Sequence, residues 1–297
     1  MNFHNKMAAD LTIILASTGG WAGRGVALVA GAAALAIAFR ACRRLRHTTL
    51  QAPCAWAVGS LICAMINVGG SGRWGDLAAE HLHYLAAITT LAPFVALLGA
   101  KRPQDRAWQW IVTALLLLLA LQSLKAVVID RGAPPALHLA WRWLLAVLLA
   151  AQWANYLPTR IALAAGLAFA GQAFLLADQL PGTTWLPEPR GPWGLGLLSL
   201  GVLVAAIIWR RRSRPLVPPA SSSDAAALNR AWLDFRDAYG VLWALRVAER
   251  VNAECRQHGR PIRLRWSGFD TPQCNREDQE AVEKLFRAIL ARFVQAA

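Results

Sequence analysis

The chain has 297 residues, 56% of them apolar, fourteen tryptophans and a formal net charge of +14. Residues 1–214 carry 19 Lys/Arg against 7 Asp/Glu, whereas residues 215–297 carry 12 against 10. The positive charge therefore belongs to the loops between apolar stretches, which excludes a nucleic-acid-binding surface and a freely soluble single domain.

Residues 1–20 read as an external N-terminal tail. Their apolar run at 11–16 is too short for a cleavable signal peptide. Seven apolar stretches follow, at 21–39, 52–70, 84–100, 108–128, 137–156, 161–180 and 193–209. A hydrocarbon core of about 30 Å needs roughly 20 helical residues, so each is expected to cross a membrane. The fourth contains five consecutive leucines at 115–119. The first carries Arg24 in its outer turn, where the side chain must snorkel to the headgroups.

Arg40, Arg43, Arg44 and Arg46 follow the first stretch, Lys101, Arg102 and Arg106 the third, Arg160 the fifth, and Arg210, Arg211, Arg212 and Arg214 the seventh. The opposite loops offer little beyond Arg73, Arg131 and Arg190. Excess Lys/Arg marks the cytoplasmic side, so the N-terminus is expected outside and the C-terminus inside a bacterial inner membrane. Trp21, Trp74, Trp141, Trp143, Trp185 and Trp193 fall near one set of ends and Trp108, Trp110, Trp153 and Trp209 near the other, as an interfacial belt requires. The five cysteines lack Cys-x-x-Cys spacing and are expected as free thiols.

Small residues at four-residue spacing, Ala27/Gly31 and Ala30/Ala34/Ala38 in the first stretch and Ala162/Gly166/Ala170 in the sixth, mark helix-packing faces. Asn67, Thr89, Thr90, Thr113, Gln122, Gln152, Asn155 and Gln172 are positioned to hydrogen-bond between helices. Two polar groups fall at outer helix ends. Lys125, Asp130, Arg131, Arg142 and Asp178 make one, read as an ion-pair cluster or as a vestibule for an anion or proton path, with Asp178 the partner expected for Lys125. Glu80, His81, His83 and His138 make the other. They are weak metal candidates without recognised ligand spacing, and on a helix His81 and His83 would diverge, so neither metal nor other cofactor is expected.

Residues 210–223 form a basic, Pro/Ser-rich linker, in which Arg210, Arg211, Arg212 and Arg214 contact anionic lipid headgroups. Residues 224–297 read as a cytoplasmic module. Asp224 caps a helix reaching about residue 258, ended by Gly259 and Pro261. Leu228, Trp232, Phe235, Tyr239, Leu242 and Leu245 form its apolar face, and Gly240 is a weak point in it. Ile262, Leu264 and Trp266 alternate with Arg263 and Arg265 as in a single short strand. Asn275 caps the last helix, whose core stripe includes Leu285, Phe286, Ile289 and Phe293. One strand cannot satisfy its own backbone; it must pair with a second copy, pair with another protein, or lie across the helices. The segment around Ile262, Leu264, Arg265 and Trp266 is thus the expected partner-binding site, for a homodimer or another protein.

The string Trp-Leu-Asp-Phe-Arg-Asp-Ala-Tyr-Gly-Val-Leu-Trp at 232–243, the stretch 245–252 and the segment 261–269 resemble the C-terminal part of uncharacterised bacterial multi-span membrane proteins. That resemblance covers about a quarter of the chain and implies architecture alone, with no catalytic residue. The expected fold is an all-α bundle of seven spans with a small helix–strand–helix module. The expected role is a membrane scaffold or sensor whose module docks a partner or second copy. The alternatives are a transporter using the outer cluster and an integral-membrane enzyme with an outer metal site.

Overall fold

The computed structural model describes residues 21–70, 73–101, 105–131, 133–183, 185–210, 225–270 and 275–293. The expectations for the tail, for Arg102, Arg211, Arg212, Arg214 and the linker, for Asp224 and for Cys274 lie outside these residues. In chain order the helices are α1 (Trp21–Arg44), α2 (Gln51–Gly70), α3 (Asp76–Thr89), α4 (Ala92–Leu98), α5 (Asp105–Val128), α6 (Leu139–Ala154), α7 (Ala162–Leu175) and α8 (Arg190–Arg210). A C-terminal unit follows, made of α9 (Ala225–Gln257), β1 (Arg263–Arg265), β2 (Gly268–Asp270), α10 (Arg276–Leu290) and a 3-10 turn, Ala291–Phe293.

Among the described residues, five segments are long and apolar enough to cross a membrane: Ala22–Arg44, Gln51–Gly70, Asp76–Leu98, Ala107–Val128 and Arg190–Arg210. This is a membrane protein. Large apolar side chains such as Val26, Val29, Ile66, Leu121, Leu124, Val147 and Leu163 point outward, which is costly in water and ordinary in lipid. α6 and α7 have 16 and 14 residues, about 24 and 21 Å of helix, less than the hydrocarbon thickness. Hydrogen-bonded turns continue both, at Asn155–Leu157 after α6 and at Leu176–Leu180 after α7.

Small residues set the helix contacts. On α1, Ala27, Ala34 and Ala38 are buried, and a Cβ at Gly31 would meet Met65 of α2 at 3.1 Å and Leu195 of α8 at 3.3 Å. On α7 the close face differs from the one expected. A Cβ at Gly171 would lie 2.8 Å from the Gly194 carbonyl, and one at Gly201 would lie 2.9 Å from that of Ala164, whereas Gly166 faces Trp153. The interlocking set is therefore Ala164, Gly171, Gly194 and Gly201, because α8 approaches α7 roughly 150° around the helix from the predicted stripe.

The third apolar segment begins at Asp76, earlier than expected, and bends between α3 and α4. Pro93 has no amide hydrogen, so the Thr89 carbonyl loses its helical donor. The Ser60 hydroxyl donates to that carbonyl at 2.6 Å, and Gln172 Nε2 donates to the Thr90 carbonyl at 2.6 Å. Gln172 Oε1 in turn accepts from Gln152 Nε2 at 2.8 Å. The bend is held by α2, α6 and α7 together.

In the C-terminal unit, α9 breaks at Gly240 (φ 75°, ψ −173°). Before the break the buried face is the expected one, with Trp232, Phe235 and Tyr239; after it the face becomes Trp243, Val247, Val251 and Cys255, leaving Leu242 and Leu245 exposed. A non-helical residue resets the phase of the 3.6-residue repeat, and the single continuous stripe through Leu242 and Leu245 is corrected accordingly. Phe286 meets Trp232 edge-on, and Phe293 meets Phe235, Tyr239 and Trp243 in the same manner. Asn275 caps α10 as expected, its Oδ1 accepting from the Asp278 amide at 2.7 Å.

The lone strand is also corrected: β1 pairs with β2 as an antiparallel hairpin, Leu264 opposite Phe269. Its outer edges are closed by side chains. Asn252 both accepts from the Leu264 amide (2.7 Å) and donates to its carbonyl (2.9 Å), and Asn229 accepts from the Phe269 amide (2.6 Å). Local side-chain pairing thus does what a partner strand was expected to do.

Gly240 tests the account. A Cβ there would lie 2.1 Å from Asn155 Nδ2 on a backbone with positive φ, whereas a Cβ at Gly259 (φ 64°) meets nothing within 4 Å. Gly259→Ala is predicted to cost about 1 kcal/mol from backbone strain alone. Gly240→Ala should cost several-fold more, roughly 3–4 kcal/mol. Melting of both variants in detergent checks this, and equal losses would remove the packing component.

Candidate functional site

Opposite the C-terminal unit, the ends of α1, α2, α3, α6, α7 and α8 enclose a cavity of about 660 Å³. Its charged lining is balanced: Arg24, Arg142 and Arg190 against Glu80, Asp178 and Glu188, with His83 and Asn67 between them. Arg190, at the start of α8, holds Asp178 and also Glu188, the latter at 2.9 Å. Its side chain is 13% exposed while the two carboxylates are 58% and 68% exposed, so the cation is the fixed centre of the group. Arg142 donates to the carbonyls of Gln179 (3.2 Å) and Leu180 (3.0 Å), which follow α7. A cation at carbonyls past a helix C-terminus satisfies both their lone pairs and the helix dipole.

The outer cluster expected from sequence is divided. Arg142 and Asp178 line the cavity; Lys125, Asp130 and Arg131 do not. Lys125 pairs with Asp130 at 3.1 Å and not with Asp178, which belongs to Arg190. The reason is local: α5 ends at Val128, and the turn to Asp130 returns a carboxylate to the last helical turn. Arg131 sits exposed with positive φ, 56°. Arg24 turns into the cavity, where sequence reasoning sent it to the headgroups. Arg190, Glu188 and Arg24 are the residues that reasoning missed. The only available signal was that Glu188 and Arg190 flank Pro189 directly before an apolar helix.

The histidines diverge on α3. His81 Nδ1 faces Ser123 Oγ of α5 at 2.7 Å, and His83 Nδ1 faces Asn67 Nδ2 of α2 at 3.0 Å. An amide nitrogen can only donate, so His83 accepts at Nδ1. His138 caps α6, accepting from the Ala140 amide at 3.3 Å, and Glu80 lies at the cavity rim. Among the described residues no group of three or more His, Cys, Asp or Glu is placed to hold a metal.

A second constellation joins the C-terminal unit to the helix bundle. Thr49, between α1 and α2, donates from its amide to the Phe293 carbonyl (3.0 Å) and from its hydroxyl to the Ala100 carbonyl (3.0 Å). The Tyr239 hydroxyl lies 3.1 Å from the same Thr49 oxygen. Burial pushes the Tyr239 phenol well above its ordinary pKa, although the Thr49 hydrogen bond opposes the rise, so it remains a donor at physiological pH. Trp243 Nε1 donates to the Leu97 carbonyl at 2.8 Å. Asn155, just past α6, accepts from the amides after the Gly240 break: its backbone oxygen from Val241 and its side chain from Leu242, both at 2.9 Å.

Beside Asn155, the buried Asp237 carboxylate takes Arg236 Nη2 at 2.8 Å and faces Arg160 Nε at 3.9 Å. Arg236 stacks over Trp266 at 4.8 Å, and Trp266 Nε1 donates to the Pro158 carbonyl at 3.3 Å. The four residues assigned to partner binding are thereby placed. Ile262 and Leu264 are core, Arg265 pairs with Asp270 at 2.7 Å, and Trp266 reaches the bundle of its own chain.

No protein-family model, curated protein or solved structure matches this chain.

Two substitutions separate the cavity from its surroundings. Lys125 and Asp130 are exposed, so Lys125→Ala should change stability by no more than about 0.5 kcal/mol. Arg190→Ala leaves Asp178 and Glu188 facing each other and should cost more, on the order of 1 kcal/mol. Denaturation in detergent ranks the two, and the reverse order would return Lys125 to the cluster.

Proposed function

We propose that this protein is a multi-pass, seven-transit sensor or scaffold of a bacterial inner membrane, with its N-terminus outside and its C-terminal unit on the cytoplasmic face. The observation that carries the reading is an alternation of contacts. The loops near Thr49, Leu97–Ala100 and Asn155–Arg160 all meet the C-terminal unit. The ends near Arg24, Asn67–Glu80, Pro134–Arg142 and Asp178–Arg190 all meet the cavity. From α1 to α7, with α3 and α4 as one segment, each apolar helix in turn joins one set to the other, α6 and α7 included. The loops that carry Arg46, Lys101 and Arg160 belong to the first set, which supports a cytoplasmic orientation.

Sensing is supported by the position of α6. It carries Arg142 at the cavity and Asn155 at the C-terminal unit, about 20 Å apart along one rigid rod. A polar ligand that engages the cavity's arginines acts on the same helix that grips Gly240. A transporter reading draws on the same charged cavity. It is less well supported, because Thr90, Gln152 and Gln172 close the bundle beneath it with hydrogen bonds to one another. Engagement of a partner or second copy remains part of the reading, but by a surface of the docked unit other than the hairpin edges, which Asn229 and Asn252 occupy.

Reporter fusions after residues 46, 106 and 297 are predicted to report cytoplasm, and a fusion after residue 132 the exterior. An exterior signal at 297 overturns the count of transits or its direction. For sensing, hydrogen exchange should be faster at the Val241 and Leu242 amides in Arg190→Ala than in the wild type. Unchanged exchange there would reduce the cavity to a structural feature of its own end.

A further inference from the structure

Antiparallel α1 and α2 meet in a register that their glycine contacts reveal. A Cβ at Gly69 would lie 3.9 Å from Leu28, and one at Gly31 would lie 3.1 Å from Met65. Followed toward the connecting loop, that register sets Cys42 opposite Cys54. The contacts of the sulfurs agree with it. Cys54 Sγ lies 3.4 Å from the Ala38 carbonyl, one helical turn before Cys42. Cys42 Sγ lies 3.9 Å from the Gln51 carbonyl, just before Cys54. Both sulfurs are half-buried rather than sealed. Cys63 is more than two turns farther along α2, and Cys255 lies in the core of the C-terminal unit. Among the described residues, Cys42 and Cys54 are thus the pair placed to react with each other.

We propose that Cys42 and Cys54 are a dithiol modification site that closes reversibly to a disulfide by exchange with a low-molecular-weight disulfide. One cysteine thiolate attacks a sulfur of the external disulfide, forms a mixed disulfide and releases one small thiol. The second cysteine, as its thiolate, attacks the protein-side sulfur of that mixed disulfide, forms the Cys42–Cys54 bond and expels the second small thiol. The two cysteines together lose two electrons, and the external disulfide gains them. The new bond would lie close to Thr49 and Leu50, the loop that touches Ala100, Tyr239 and Phe293. Closing it removes freedom of α1 relative to α2 at the platform of the C-terminal unit, so oxidation should raise the melting temperature.

The full-length protein in detergent is incubated with oxidised glutathione, digested and mapped by mass spectrometry. The expected result is a peptide linked through Cys42 and Cys54, no retained glutathione on either, and loss of two reactive thiols from the chain's five. Dithiothreitol should restore both. Cys42→Ser and Cys54→Ser should each retain glutathione on the remaining cysteine and lose the oxidation-dependent melting shift. A stable glutathione adduct at Cys42 or Cys54 of the wild type, or no reaction at either, overturns the proposal. If a serine variant fails to fold, the wild-type peptide map decides alone.

Discussion

A helix that breaks inside or beside a bilayer exposes carbonyls and amides that lipid cannot satisfy, and here neighbouring elements supply the missing partners. Pro93 frees the Thr89 carbonyl, and Ser60 on α2 fills it; Gln172 on α7 fills the next one. Arg142 on α6 covers the carbonyls past α7. Gly240 opens α9, and Asn155 past α6 receives the amides that the break releases. Each break is therefore also a joint. An unsatisfied buried donor or acceptor costs about 1–3 kcal/mol, so these few polar contacts fix the relative placement of helices whose apolar faces alone are nearly interchangeable.

The same logic explains why the C-terminal unit seats on its own bundle. Taken alone it is a thin core: α9 and α10 meet largely through Trp232, Phe235, Tyr239, Phe286 and Phe293, and a unit of this size seldom stabilises itself by burial only. Leu97, Ala100, Leu50 and Tyr156 of the bundle complete its apolar cluster. Thr49 then ties three backbone segments at one point. The free apolar surface expected for a foreign partner is, in large part, used within the chain.

Periodicity made the five long apolar helices, the hairpin's first strand and the α10 cap legible, because each of those signals lies within one continuous stretch. What was not legible depends on relations between stretches. The pairing of Asp178 with Arg190 over the Lys125 expected by depth needs the direction in which α8 enters, and a depth argument contains no azimuth. The burial of Trp243 in place of Leu242 follows from the reset at Gly240, where composition shows a glycine but not its φ. β2 escaped notice because Gly268, Phe269 and Asp270 are too short to show alternation. The use of Asn252 and Asn229 to close the hairpin edges has no sequence signature at all, since both residues sit within an ordinary helical pattern.

The helices differ in what determines their positions, and α6 is the exception among them. α7 and α8 interlock through glycines at which any added Cβ collides with backbone, and α1 lies against α2 and α8 along an unbroken stripe of small residues. Displacing any of these disturbs contacts along the whole helix. α6 buries only Leu145 and Leu149 among its sixteen residues. Its placement rests on polar contacts concentrated at its two ends and on Gln152 between them. Close-packed interfaces tend to have discrete arrangements and resist small displacements, whereas a rod held by hydrogen bonds at its ends can shift when either end changes partner. A ligand that competes for the Arg142 guanidinium would loosen one of those ends. Because Asn155 is the next fixed point on the same rod, the C-terminal unit is where that displacement would be felt.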